Sequence, residues 1–167
     1  SICDWSSDVF SSDLAYLLCL LLLGDRAERA AVRLLAVIAL VLVMDVVLDP
    51  GAVALGFWAY EGVADAGALG VLSGAGFYGV PLSNYAGWVV SATVAVVVLD
   101  AALDRAALRE RLADCEFMLD DMVSFVLLWG GVNIWFWNPV AAAVAVGIGV
   151  GLVRADRFDA SLLGQAF

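Results

Sequence analysis

From Met122 to Val153 the chain runs for 32 residues without a charged side chain. Few folds admit such a run. A bilayer-spanning helix needs about 20 predominantly apolar residues, whereas a soluble surface helix carries a polar stripe along its outer face. Gly130-Gly131 and Trp137-Asn138-Pro139 punctuate the run, and proline removes a helical donor while its ring crowds the preceding turn. The run therefore reads as two helices, 117–137 and 139–154. Elsewhere, charged connectors divide the chain into helices at 13–23, 30–48 and 84–100, with short helices inside 51–80. The second of these is interrupted by Asp45 and expected to end at Asp49-Pro50. Gly87–Leu99 (GWVVSATVAVVVL) shows no polar stripe. The expected fold is an all-α, polytopic integral membrane bundle with about five transmembrane helices, the first of them truncated.

Composition agrees. Of 167 residues, 64% are hydrophobic and 16% charged, against roughly 45–50% and about 25% in soluble domains. Mean hydropathy is +0.98. All eight basic residues are arginine, and eighteen acidic residues bring the formal charge to −10. That balance argues against a nucleic-acid partner, which needs basic patches to meet phosphate. The absence of histidine removes His-ligated iron, haem or zinc and an imidazole base. The absence of lysine removes a retinal Schiff base. Cys3, Cys19 and Cys115 show neither metal-site spacing nor a disulfide framework. No metal is expected. Carboxylates, hydroxyls, amides and aromatic faces remain to carry chemistry.

The arginines test the topology. Arg26, Arg29 and Arg33 lie between the first two helices, Arg105, Arg109 and Arg111 follow the third, and Arg154 and Arg157 follow the fifth. Five alternating helices place all eight on one side, which the positive-inside rule makes cytoplasmic together with the C-terminus. The polar run Ser1–Leu14 changes abruptly into AYLLCLLLL. Its Asp4–Leu14 part (DWSSDVFSSDL) resembles a translated sequencing adapter, so 1–14 is set apart as non-native. Residues 15–167 are expected to form one membrane-embedded domain, the C-terminal portion of a longer protein.

Two acids stand out. Asp45 interrupts an apolar helix and Asp49 follows one turn later on the same face. An intramembrane carboxylate is costly and points to function; the bland alternative is that Asp45 bonds another helix while Asp49 only ends its own. Two such acids cannot both ionise easily in a low-dielectric setting, so one is expected to hold a proton. The stretch 51–88 then concentrates Phe57, Trp58, Tyr60, Glu61, Phe77, Tyr78, Asn84, Tyr85 and Trp88. Interfacial anchoring accounts for aromatics in general, but polar, Gly-rich backbone at membrane depth must be protein-buried or line a cavity, so a pocket is expected. Asn133, Trp135, Trp137 and Asn138 repeat the theme at the same end. Asp120-Asp121 suits a helix N-terminus, and Gly147, Gly149 and Gly151 suit close helix packing.

Two motifs carry a resemblance. Asp45-x-x-Leu48-Asp49-Pro50-Gly51-Ala52-Val53, continued by Gly56-x-Trp58-x-Tyr60, and Tyr78-Gly79-Val80-Pro81-Leu82-Ser83-Asn84-Tyr85-x-Gly87-Trp88, together resemble the family of carotenoid biosynthesis membrane proteins, carotenoid hydratase type. The resemblance covers roughly residues 15–155 and implies cofactor-free addition of water to a terminal double bond of a C50, bisanhydrobacterioruberin-like or related carotenoid. It also implies a lipid bilayer and other carotenoid-pathway enzymes as surroundings. For that reaction Asp45 or Asp49 is the candidate general acid. Trp58, Tyr60 or Tyr78 would face the developing cation, and Asn84, Glu61 or the second aspartate would hold the water. Tyr85, Trp88, Asn133 and Trp135 complete the expected substrate site. The alternative class is a non-catalytic carotenoid-binding or small-solute transport protein, although no internal repeat of broken helices marks a transporter.

Overall fold

The computed structural model describes residues 11–63, 66–74, 76–112 and 117–154; Cys3, Cys115, Asp65, Arg157 and residues 1–10 of the segment set apart above lie outside them. The order is α1 (Ser11–Leu23), a 3-10 turn (Gly24–Glu28), α2 (Ala30–Ala54), the short α3 (Gly70–Ser73), α4 (Leu82–Ala102), α5 (Arg105–Leu112), α6 (Phe117–Trp135) and α7 (Pro139–Arg154). Among the described residues every named element is a helix. Among the described residues, α2 and α4 are long and apolar enough to cross a membrane, and α7 is apolar but shorter.

The departures from expectation include two helix ends and one additional helix. Helix α2 does not stop before Pro50 but runs on to Ala54. One proline deletes one helical donor, and a helix survives when neighbouring side chains serve the carbonyls around it. Its real stop is Gly56, whose φ of 74 lets Phe57 N–H return to the Ala52 carbonyl at 2.9 Å, a glycine C-cap. Helix α6 ends at Trp135 rather than 137 because Trp137 takes a left-handed φ of 58. Helix α5 forms within a stretch expected only to be charged and amphipathic; Asp104 Oδ1 caps it by accepting Ala106 N at 3.0 Å and Ala107 N at 3.3 Å.

Helix α2 is the hub, packing against α1, α4, α6 and α7. Its Val37 and Val41 meet Tyr16 and Leu18 of α1, Ala92 and Val96 of α4, and Met122 of α6 in the main core. Close approach of α2 to α6 depends on Gly51, where a Cβ would stand 3.0 Å from Trp129 Cε3. The glycines of α7 behave otherwise than expected. Gly149 lies against Val126, whereas Gly147 and Gly151 face open space. Outward, α4 leaves Val90, Val94, Val97 and Val98 exposed, a face that water would not favour.

Helices α2 and α4 are antiparallel, and polar contacts fasten both ends. At one end Arg33, only 2% exposed, sends Nε to Asp100 Oδ1 at 2.8 Å and Nη2 to Asp100 Oδ2. Its Nη1 donates to the Ala27 and Glu28 carbonyls, and Tyr16 OH donates to Asp100 Oδ1 at 2.7 Å. Nearby, Arg109 joins α5 to the 3-10 turn through Asp25 at 2.8 Å and Glu28 at 2.9 Å. The sequence marked Arg33 only as one arginine of a connector; the fold makes it a buried strut. At the other end, about 24 Å away at ~1.5 Å per residue, lies the acid pair.

Candidate active site

Asp45 and Asp49 project from consecutive turns of α2 and are each 2% exposed. Among the described residues no arginine pairs with either. Asn84, in the first turn of α4, donates Nδ2 to Asp49 Oδ2 at 2.5 Å. Among the described residues, Asp45 Oδ2 is buried without a hydrogen-bond partner, and so is the hydroxyl of Tyr85. Tyr60 and Tyr85 both lie within electrostatic range of the two carboxylates. Burial pushes the Tyr60 hydroxyl above the ordinary tyrosine range, Asp49 and then Asp45 push it further, and a hydrogen bond with Trp58 opposes them.

Beside the pair opens a groove of about 400 Å³ lined by Tyr60, Pro81, Ser83, Asn84, Gly87, Trp88 and Ser91. Asn84 belongs to both: it walls the groove and holds Asp49. The preceding loop aims it. Phe77 and Val80 exchange backbone hydrogen bonds at 2.7 and 3.0 Å around Tyr78 and Gly79, whose φ values of 49 and 78 give a tight turn with two left-handed residues. Pro81 then leaves in an extended conformation and α4 begins at Leu82.

Not every expected site residue joins this groove. Tyr60, Asn84 and Trp88 line it, and Tyr85 stands beside the acids. Tyr78 is instead buried against Phe77, with ring centroids 4.7 Å apart, and its hydroxyl accepts from Val140 N at 3.2 Å. Its phenol ties the loop to α7 and does not line the groove. Glu61 is exposed on a turn and forms no hydrogen bond or ion pair among the described residues, so it is not positioned with the acids. Trp58 is exposed, reaching Tyr60 from the side. Trp135 is 79% exposed on the outer surface, away from the groove.

Asn133 also departs from its expected role as a substrate contact. It is fully buried, and its Nδ2 donates to the Val47 carbonyl of α2 at 2.6 Å and to Trp129 O at 2.8 Å. Its Oδ1 accepts from Asn138 Nδ2 at 3.0 Å, and the same Nδ2 reaches the Pro50 carbonyl at 3.4 Å. The left-handed Trp137 brings the two asparagines together, because Asn138 N–H folds back onto the Asn133 carbonyl at 2.8 Å, a helix-ending motif. Asn133 further backs a separate apolar groove of about 300 Å³ with Ile134, Trp137, Pro139 and Ala142. Sequence reasoning missed Ser83, Gly87 and Ser91 as groove residues. Their spacing of four, which puts small side chains on one helix face beside Asn84 and Trp88, was the available signal.

Residues 9–152 match the family model described as "Carotenoid biosynthesis protein". The bisanhydrobacterioruberin hydratase of Haloarcula japonica is 55% identical over 156 residues, which cover 91% of this chain and 49% of that protein. The chain thus spans about half the length of the curated relative it matches. No solved structure matches it. With the family model extending over most of the sequence and more than half of the residues shared with a curated member, this chain belongs to the carotenoid biosynthesis protein family.

Proposed function

We propose that the chain forms the acid-bearing part of a carotenoid hydratase, which adds water to a terminal double bond of a C50 or related carotenoid. One observation carries the reading: two buried carboxyl groups, unpaired with any arginine among the described residues, stand beside an aromatic-walled groove. The name of the Haloarcula japonica relative supports the same chemistry. Asp45, with an unpartnered Oδ2, donates its proton to the less substituted alkene carbon. The tertiary cation that results faces Tyr60 and Trp88 of the groove, whose π-faces favour positive charge. Water adds to the cation, and its surplus proton passes to Asp49, the carboxylate that Asn84 orients. Proton exchange between the two acids restores the starting state. The net change is one water consumed and one tertiary alcohol formed.

A groove of about 400 Å³ falls at the small end of ligand sites, roughly 300–1,000 Å³. It takes the end of a long polyene and leaves the remainder in lipid. In this reading the protein is multi-pass in the cell membrane, with α1, α2, α4, α6 and α7 as its five spans, α1 being the short one. Lipid covers the exposed valines of α4. Trp135, Trp137 and Phe57, all exposed at the acid end, sit in the outer interface, and the arginine end is cytoplasmic. Expression of the full-length protein with a dehydrated C50 precursor in oxygen-18 water tests the proposal. The expected product gains one labelled water per hydrated end. Unchanged precursor, or oxygen drawn from O2, would overturn hydration.

A further inference from the structure

Asp49 lies in the turn of α2 that contains Pro50. Pro50 offers no N–H to the Val46 carbonyl and its ring crowds that turn. Two asparagines from another part of the chain grip the carbonyls on either side of Asp49. Asn133 takes the Val47 carbonyl at 2.6 Å and Asn138 the Pro50 carbonyl at 3.4 Å, while a bond of 3.0 Å between their own side chains locks them together. Both are buried. Neither touches the groove by Asn84. Simple helix packing would not require two buried amides here, since apolar side chains fill such a site without polar atoms to satisfy. Matching them to carbonyls within a proline turn gives them a specific task.

We infer that Asn133 and Asn138 are positioning residues for the acid pair, a brace from the α6–α7 corner that fixes the backbone of α2 around Asp49. The inference rests on the hydration reading for its effect on turnover, but not for its geometry. The brace sets where the Asp49 carboxylate points relative to Asn84 and, one turn back, where Asp45 stands. Displacement of a catalytic group by an ångström lowers turnover far more than binding.

The test compares Asn133→Leu, Asn138→Ala and Pro50→Ala, with the doubles, in the full-length protein. Asn133→Leu should lower kcat by about 10- to 100-fold with KM almost unchanged, and displace the pH–rate profile. Asn138→Ala, which loses the longer bond, should do the same to a smaller extent. Pro50→Ala returns a helical N–H to the Val46 carbonyl and firms the same turn from within α2, so Asn133→Leu should cost much less in that background. Infrared spectroscopy gives a second readout, with the Asp49 carboxyl or carboxylate band assigned by its loss in Asp49→Asn. That band should move in Asn133→Leu and return in the double variant. An equal loss of kcat in both backgrounds, or an unmoved band in folded Asn133→Leu, would overturn the brace. The infrared result stands even if the wild-type protein fails to hydrate carotenoid, which separates failure of the brace from failure of the proposed reaction.

Discussion

Two polar clusters tie α2 to α4, and they are built on opposite plans. At the arginine end, one guanidinium and one carboxylate face each other, Tyr16 and backbone carbonyls take the remaining valences, and Arg33 is satisfied although buried. At the acid end, two like groups share one helix face, one amide serves Asp49, and an oxygen of Asp45 has no partner among the described residues. Complementary charge holds a fold together, whereas like charge in a dry site opposes it. The first cluster therefore reads as structure, and the second as the place that the proposed function uses.

The comparison makes its sharpest prediction in the acids themselves. Asp45→Asn and Asp49→Asn should each lower hydration by about 100-fold or more, yet leave thermal unfolding unchanged or slightly raised, because each removes an ionisable group that lacks a counter-ion. Turnover and melting temperature, measured on the same detergent-purified samples, decide the matter. A variant that melts early and keeps its specific activity would place Asp45 or Asp49 among the structural residues.

The arginine end should behave in reverse. Arg33 is buried while Asp100 is 23% exposed, so removing one member strands the other at the low end of the loss for buried pairs, about 3 kcal/mol. Arg33→Met and Asp100→Asn should therefore unfold early while the folded fraction keeps its turnover. The double variant Arg33→Met/Asp100→Leu should recover much of the stability, since paired removal leaves no stranded charge. Loss of specific activity without loss of stability would erase the distinction between the two ends.

A smaller effect probes how the acid end extends into the groove. Ionising Tyr60 would bring another negative charge near Asp49 and Asp45, which is one reason its hydroxyl is held up. Asp49→Asn removes the larger of the two carboxylate contributions, so the Tyr60 titration, followed by ultraviolet difference absorption, should move down toward the ordinary tyrosine range. An unmoved midpoint would detach Tyr60 from the acid pair.

The sequence already contained the helices, because runs such as Met122–Val153 leave little choice of element. It also contained the acids, which stand out for being where apolar residues belong. The link between Asp49 and Asn84 was legible only as two neighbouring motifs, since a pairing across 35 residues depends on how an intervening loop turns. Pro50 misled because its local effect is to break a helix, whereas α2 runs on through it, and the contact Asn133 makes beside it, to the Val47 carbonyl, spans 86 residues. Arg33 misled in a similar way. A charge in a connector is usually solvated, and only the return of α4 supplies the aspartate that allows it to be buried.

Arg109 sets the lower limit of the comparison. It has the same guanidinium as Arg33 and more carboxylates, meeting Asp25 at 2.8 Å and Glu28 at 2.9 Å, which hold it charged above the ordinary arginine range. Those partners are exposed, so water and salt compete for every contact, and at 0.1 M the screening length is only about 10 Å. Arg109→Ala should leave the melting temperature almost unchanged at physiological ionic strength and lower it slightly at low salt. Thermal unfolding at both ionic strengths measures this directly. If Arg109→Ala proved as damaging as Arg33→Met, then the number of ion-pair contacts, and not burial, would govern the arginine end. The contrast with the acids would then rest on charge sign alone. A negligible effect ties the strength of Arg33 to its exclusion from solvent, an exclusion that Asp45 and Asp49 share at the opposite end of the helix pair.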